Sequence, residues 1–145
     1  MSRARQMYCV FLALVSLTAL LMTWSQNLLY FTGANPAGFG QYLLDLKATG
    51  AARSFTVDIG LFLLAAVGLM VAEARKLGMR FVWVYVLLGF GIAISVTFPL
   101  FLVAREIRLA QLERAVAAVS FTRLDVLGLA TTTVVVLAMC GFILG

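Results

Sequence analysis

Residues 55–74 read FTVDIGLFLLAAVGLMVAEA, and this stretch decides the class of fold. Between Asp58 and Glu73 stand only uncharged residues, Ile59 to Ala72. At about 1.5 Å per residue they cover roughly 20 Å of helix, whereas a bilayer core is about 30 Å thick. A membrane-crossing helix here therefore takes in Asp58, Glu73 or both. Glu73 is followed by Arg75 and Lys76 and can sit with them at the interface. Asp58 is short and cannot reach far, so it is the expected carboxylate inside the membrane. Such a residue is costly and marks a functional site by default.

The rest of the chain supports a lipid solvent. It has 145 residues, 63% hydrophobic and 12% charged. Soluble domains carry about 25% charged residues, and a chain this short cannot hide so much apolar surface from water. The expected fold is all-α: a polytopic membrane protein, a four-helix transmembrane bundle in one domain over residues 1–145. Its spans are expected at about 7–29, 55–74, 81–104 and 124–144, from the apolar runs. The first follows Arg3 and Arg5, is too long for a signal peptide and lacks a small-x-small cleavage site, so it reads as an uncleaved anchor. The connection from Thr32 to Ser54 contains a QYLLDLKA piece that suits one or two turns on the membrane surface and suits a loop equally well. Pro99, near the end of the third run, is expected to bend it or free a carbonyl.

Several functions are excluded. The chain has no histidine, so His-ligated metals and haem and a Ser-His-Asp triad cannot form within it. Cys9 and Cys140 are far apart, with no CxxC pair for thiol–disulfide chemistry. No metal and no cofactor are expected. The net charge of +5 comes from short basic clusters beside apolar runs, which suit topology and anionic head groups rather than nucleic acid.

Four antiparallel spans would put Arg3, Arg5, Arg75, Lys76 and Arg80 on the side of the termini. Lys47, Arg53, Arg105, Arg108, Arg114 and Arg123 would lie opposite. The first set is packed into shorter segments, which points to cytoplasmic termini. The same arrangement gathers Asn27, Asp58, Arg105, Glu106 and Asp125 at the face away from the termini. Helical spacing puts Asp58 on one face with Ala65, Gly68 and Ala72, small residues that suit close helix contacts inside the bundle. Such a gathering admits two readings. One is an Asp58–Arg105 ion pair that locks the helices, completed by Asn27 and Asp125. The other is a polar pocket formed by Asn27, Asp58, Arg105, Glu106 and Asp125, with Asp58 as the candidate catalytic acid.

Three blocks carry a resemblance: Phe55-Thr56-Val57-Asp58, then Glu73-Ala74-Arg75-Lys76-Leu77-Gly78-Met79, then Phe98-Pro99-Leu100-Phe101-Leu102-Val103-Ala104-Arg105-Glu106. Over roughly Met7 to Arg108 the chain resembles an uncharacterised family of small bacterial integral membrane proteins, a domain-of-unknown-function family. The fourth span lies beyond the usual core of that family. The resemblance implies a multi-pass protein of a bacterial inner membrane and brings no established activity. The expected function is binding of a lipid-like ligand or a partner helix at the polar pocket. The alternatives are an isomerase or cyclase acting on an isoprenoid-like substrate with Asp58 as general acid, and a small proton-coupled exporter. The expected partners are membrane lipids, a hydrophobic small molecule and a second copy of the chain, without nucleic acid.

Overall fold

The computed structural model describes residues 2–32 and 38–112, with Arg123, Leu127, Ala130 and Val134 beyond them. Among the described residues there are five α-helices and no strand. They are α1 (Arg3–Asn27), α2 (Gly38–Asp45), α3 (Gly50–Leu77), α4 (Val82–Gly91) and α5 (Ile94–Gln111), with a 3-10 turn at Leu28–Tyr30. α1 with its 3-10 turn, and α3, are each long and apolar enough to cross a membrane. The expected spans 7–29 and 55–74 fall inside them, each helix extending further at its N-terminus. The expected fourth span, 124–144, lies outside the described residues apart from Leu127, Ala130 and Val134.

Local chemistry explains the helix ends. The Ser2 hydroxyl accepts the Arg5 backbone N–H at 3.3 Å and caps α1. The Thr49 hydroxyl does the same for Ala52 at 3.0 Å and caps α3. α3 stops at Gly78, whose φ of 63° places it in the left-handed region. There the Met79 N–H reaches Ala74 O and the Gly78 N–H reaches Arg75 O, the paired bonds that close a helix C-terminus. α2 falls three residues earlier than QYLLDLKA. It is tied to α1 through the Tyr30 hydroxyl, which donates to Asp45 Oδ2 at 2.8 Å, and through an edge-on contact of the Tyr30 and Tyr42 rings.

The third apolar run, expected as one span over 81–104 bent or opened near Pro99, is not one helix. It is two helices folded back on each other, α4 and α5, joined at Ile92 and Ala93. Gly89 and Gly91 weaken the helix just before the break. Pro99, inside α5, has no N–H to offer Ser95 O one turn back, which loosens the first turns of α5. The fold of the hairpin is visible in its contacts. The Tyr85 ring meets Phe101 edge-on at 5.8 Å, and a Cβ on Gly89 would lie 3.0 Å from Thr97 Oγ1. The absent side chain lets α4 and α5 approach. Gly89→Leu is therefore expected to prise the hairpin open and destabilise the protein by about 1–3 kcal/mol, the usual cost of overpacking. Thermal unfolding in detergent measures it, and an unchanged midpoint would show that the two helices do not meet at Gly89.

α5 is the centre of the assembly and packs on α1, α3 and α4. It runs antiparallel to α1: Ser16 Oγ donates to Val96 O at 2.9 Å, and Arg5 meets Glu106. It runs parallel to α3, since Phe62 meets Phe98 and Glu73 meets Arg105. The buried core is built from these contacts. Ala66, Met70 and Ala74 of α3, Val82 and Val86 of α4, and Ile94 and Phe101 of α5 form one cluster. The hairpin tip lies between the levels of Ser16 and Trp24 on α1. There the Trp24 indole N–H donates to Ile92 O at 3.3 Å and satisfies a carbonyl freed by the break.

Candidate functional site

Because the hairpin returns, Arg105 and Glu106 do not lie at the Asn27 end of the bundle. They lie at the opposite end, where α1 begins and α3 finishes. A row of alternating charges runs across that end. Arg5 Nε of α1 faces Glu106 Oε2 of α5 at 3.1 Å, and Glu106 Oε1 accepts from Arg105 Nη1 at 2.7 Å. Arg105 Nε donates to Glu73 Oε2 of α3 at 2.8 Å, and Lys76 Nζ donates to Glu73 Oε1 at 3.0 Å. The guanidinium of Arg105 thus bridges two carboxylates, and the row ties α1, α5 and α3 together. Alongside it, Arg108 Nε donates to Leu77 O at 3.2 Å and satisfies a carbonyl in the last turn of α3.

The members of this row are not energetically alike. The Lys76 side chain is 69% exposed, so its pair with Glu73 is a surface i,i+3 contact worth a few tenths of a kcal/mol. Glu106 is 2% exposed and Arg5 8%. Removing Glu106 leaves Arg5 buried and uncompensated, whereas removing Arg5 leaves Glu106 its bond to Arg105. Arg5 Nε and Glu106 Oε2 are close enough to pair as charges, yet neither atom has a hydrogen bond. Arg5 also stands in the first turn of α1, where the helix dipole disfavours a cation. Glu106 is what makes that position tolerable.

The expected constellation is therefore divided. Arg105 and Glu106 come together, with Arg5, Glu73 and Lys76 as partners the linear reading missed. Asn27 sits half-buried at the far end of α1. Asp58 is exposed, and it stands 15 residues before Glu73 on α3, about 22 Å along the axis. It cannot reach Arg105, and the Asp58–Arg105 lock is replaced by Glu73–Arg105–Glu106. The face shared by Asp58, Ala65, Gly68 and Ala72 is exposed rather than turned into the bundle. α3 buries Ala66, Met70, Ala74 and Leu77 instead. Ala66 comes one residue after Ala65, about 100° round the helix. Asp125 lies outside the described residues. Arg5 and Glu73 were legible only as interface charges; the Gly89, Gly91 and Pro99 breakers were the one signal that Arg105 would come back to them.

Beside the ionic row is a crevice of about 240 Å³ between the turn after α3 and the end of α5. Arg80, Arg108 and Gln111 stand among its walls with Phe81, Tyr85 and Ile107. Among the described residues no group of His, Cys, Asp and Glu is arranged to hold a metal ion.

Residues 10–107 match the family described as protein of unknown function DUF2834. The chain belongs to that family. The matched region of this DUF2834 chain takes in α2 to α4 whole and most of α1 and α5, and so the turn of the hairpin; Glu106 and Arg105 fall within it and Arg5 just before it. No curated protein and no solved structure matches the chain.

Proposed function

We propose that this chain is an integral membrane protein that holds a lipid-like ligand at the end where α1 begins and α3 finishes. α1 and α3 cross the bilayer in opposite directions. The α4–α5 hairpin enters and leaves through one face. α4 has 10 residues, about 15 Å of helix, half of a bilayer core of about 30 Å. Broken helices are tolerated at that depth where protein groups satisfy the freed backbone, as Trp24 does for Ile92 O.

The observation that carries this reading is the return of Arg105 and Arg108 to the end already holding Arg3, Arg5, Arg75, Lys76 and Arg80. Within residues 2–112 the other end has only Lys47 and Arg53. That asymmetry favours a cytoplasmic basic end in a bacterial inner membrane, facing a leaflet whose anionic lipids attract basic clusters. The ligand is then a membrane lipid or a molecule shaped like one. The test is the lipid that stays with the purified protein. Extraction after detergent purification is expected to give a lipid mixture enriched in anionic species relative to the source membrane. A mixture identical to the bulk membrane, or none retained, would overturn the reading.

A further inference from the structure

We propose that the crevice beside the turn after α3 is a phosphate-binding site for one anionic phospholipid, a proposal that rests on the lipid reading above. Charge availability singles it out. Arg5 and Arg105 are already engaged by Glu106 and Glu73. Arg80, in contrast, is exposed and has no ion pair among the described residues. Arg108 uses Nε on Leu77 O and Nη1 on Gln111 Oε1 at 3.5 Å, which leaves its other terminal nitrogen for a ligand. Two guanidinium groups with spare N–H donors at one rim suit a phosphate diester, because the planar fork matches phosphate oxygens.

The rest of the crevice suits the glycerol and acyl carbons attached to a lipid phosphate. Phe81, Tyr85 and Ile107 form apolar walls, and about 240 Å³ takes a head group and the first carbons of its chains rather than a whole lipid. The chains have a path onward. Val84 and Leu88, on the same side of α4 as Phe81, are exposed and lead from the crevice toward the hairpin tip. The basic rim is at the level of the ionic row, where α3 ends, so the phosphate would sit at the membrane interface and the chains in the core.

The experiment is native mass spectrometry of the full chain in detergent with added phosphatidylglycerol or phosphatidylcholine. Phosphatidylglycerol is expected to bind more tightly. Arg80→Gln is expected to lower that affinity about fivefold, from about 1 kcal/mol per basic residue at an anionic surface. Arg75→Gln removes an equal charge from the exposed last turn of α3, outside the crevice, and is expected to leave affinity unchanged. Arg108→Lys, which keeps the charge but loses the fork, is expected to fall between them. Equal losses in Arg80→Gln and Arg75→Gln would overturn the site in favour of a general surface field. Displacement by soluble glycerol phosphate as effective as by lipid would overturn it in favour of a free-phosphate site. If the wild-type chain binds lipid and Arg80→Gln binds it equally well, the crevice assignment alone fails. If the wild-type chain binds neither lipid, the lipid reading itself fails.

Discussion

Glu106→Ala is expected to destabilise the protein by about 3–5 kcal/mol, the cost of leaving a buried charge without its partner. Glu106 is 2% exposed and sits between Arg5, itself 8% exposed, and Arg105. Arg105 retains Glu73 when Glu106 is removed, but Arg5 loses the carboxylate it faces. α1 then keeps its Ser16 hydrogen bond and its apolar contacts with α5, with a buried cation at the start of the helix. Thermal unfolding in detergent reads the effect. The pair replacement Arg5→Met with Glu106→Met should recover most of the loss, because an apolar pair of similar volume carries no unmatched charge. Asp58→Asn is the control and should stay within about 0.5 kcal/mol of wild type, as exposed substitutions usually do. A wild-type midpoint for Glu106→Ala would remove the ionic row as the clamp on the hairpin. A large loss in Asp58→Asn would show that Asp58 has a partner after all.

The second large effect is all-or-none. In a background with Cys9→Ser and Cys140→Ser, single cysteines at Phe81 and Gln111 are expected to react with a membrane-impermeant thiol reagent from the same side. That side should also label Lys76→Cys, while Lys47→Cys should label only from the other. Phe81 and Gln111 are both exposed and flank the two helices of the hairpin. If residues 81–104 crossed the bilayer as one helix, positions 81 and 111 would label from opposite sides. Labelling of position 111 together with position 47 would therefore dispose of the hairpin, and with it the grouping of basic residues at one end.

These two tests bear on the same step, which the linear sequence left open. The uncharged run from Phe81 to Ala104 is long enough to cross a bilayer, and hydropathy cannot tell a crossing from a return. Both keep apolar side chains away from water, and the breakers Gly89, Gly91 and Pro99 are all compatible with a transmembrane helix. The choice between the two placed Arg105 either beside Asp58 or beside Glu73. A similar ambiguity affected α3. Small residues occur on several of its faces, and the Asp58 face with Ala65, Gly68 and Ala72 was as plausible a contact stripe as the one with Ala66, Met70 and Ala74. The packing of α4 and α5 selects the second, because Met70 and Ala74 meet the cluster around Val82, Val86 and Phe101.

The sequence by itself determined the building blocks. Low charge, apolar runs of helical length and cap residues such as Ser2, Thr49 and Gly78 are local properties. They dictate helices, two of them long and apolar enough to cross a membrane, whatever their neighbours do. Only the tertiary structure decided which ends of those helices meet. That depends on whether two glycines and a proline let one apolar run double back, and on whether α4 can approach Thr97 closely at Gly89. Once it does, Arg105 and Glu106 are carried to Arg5 and Glu73, and Coulomb attraction between groups far apart in sequence closes a row that no local pattern records.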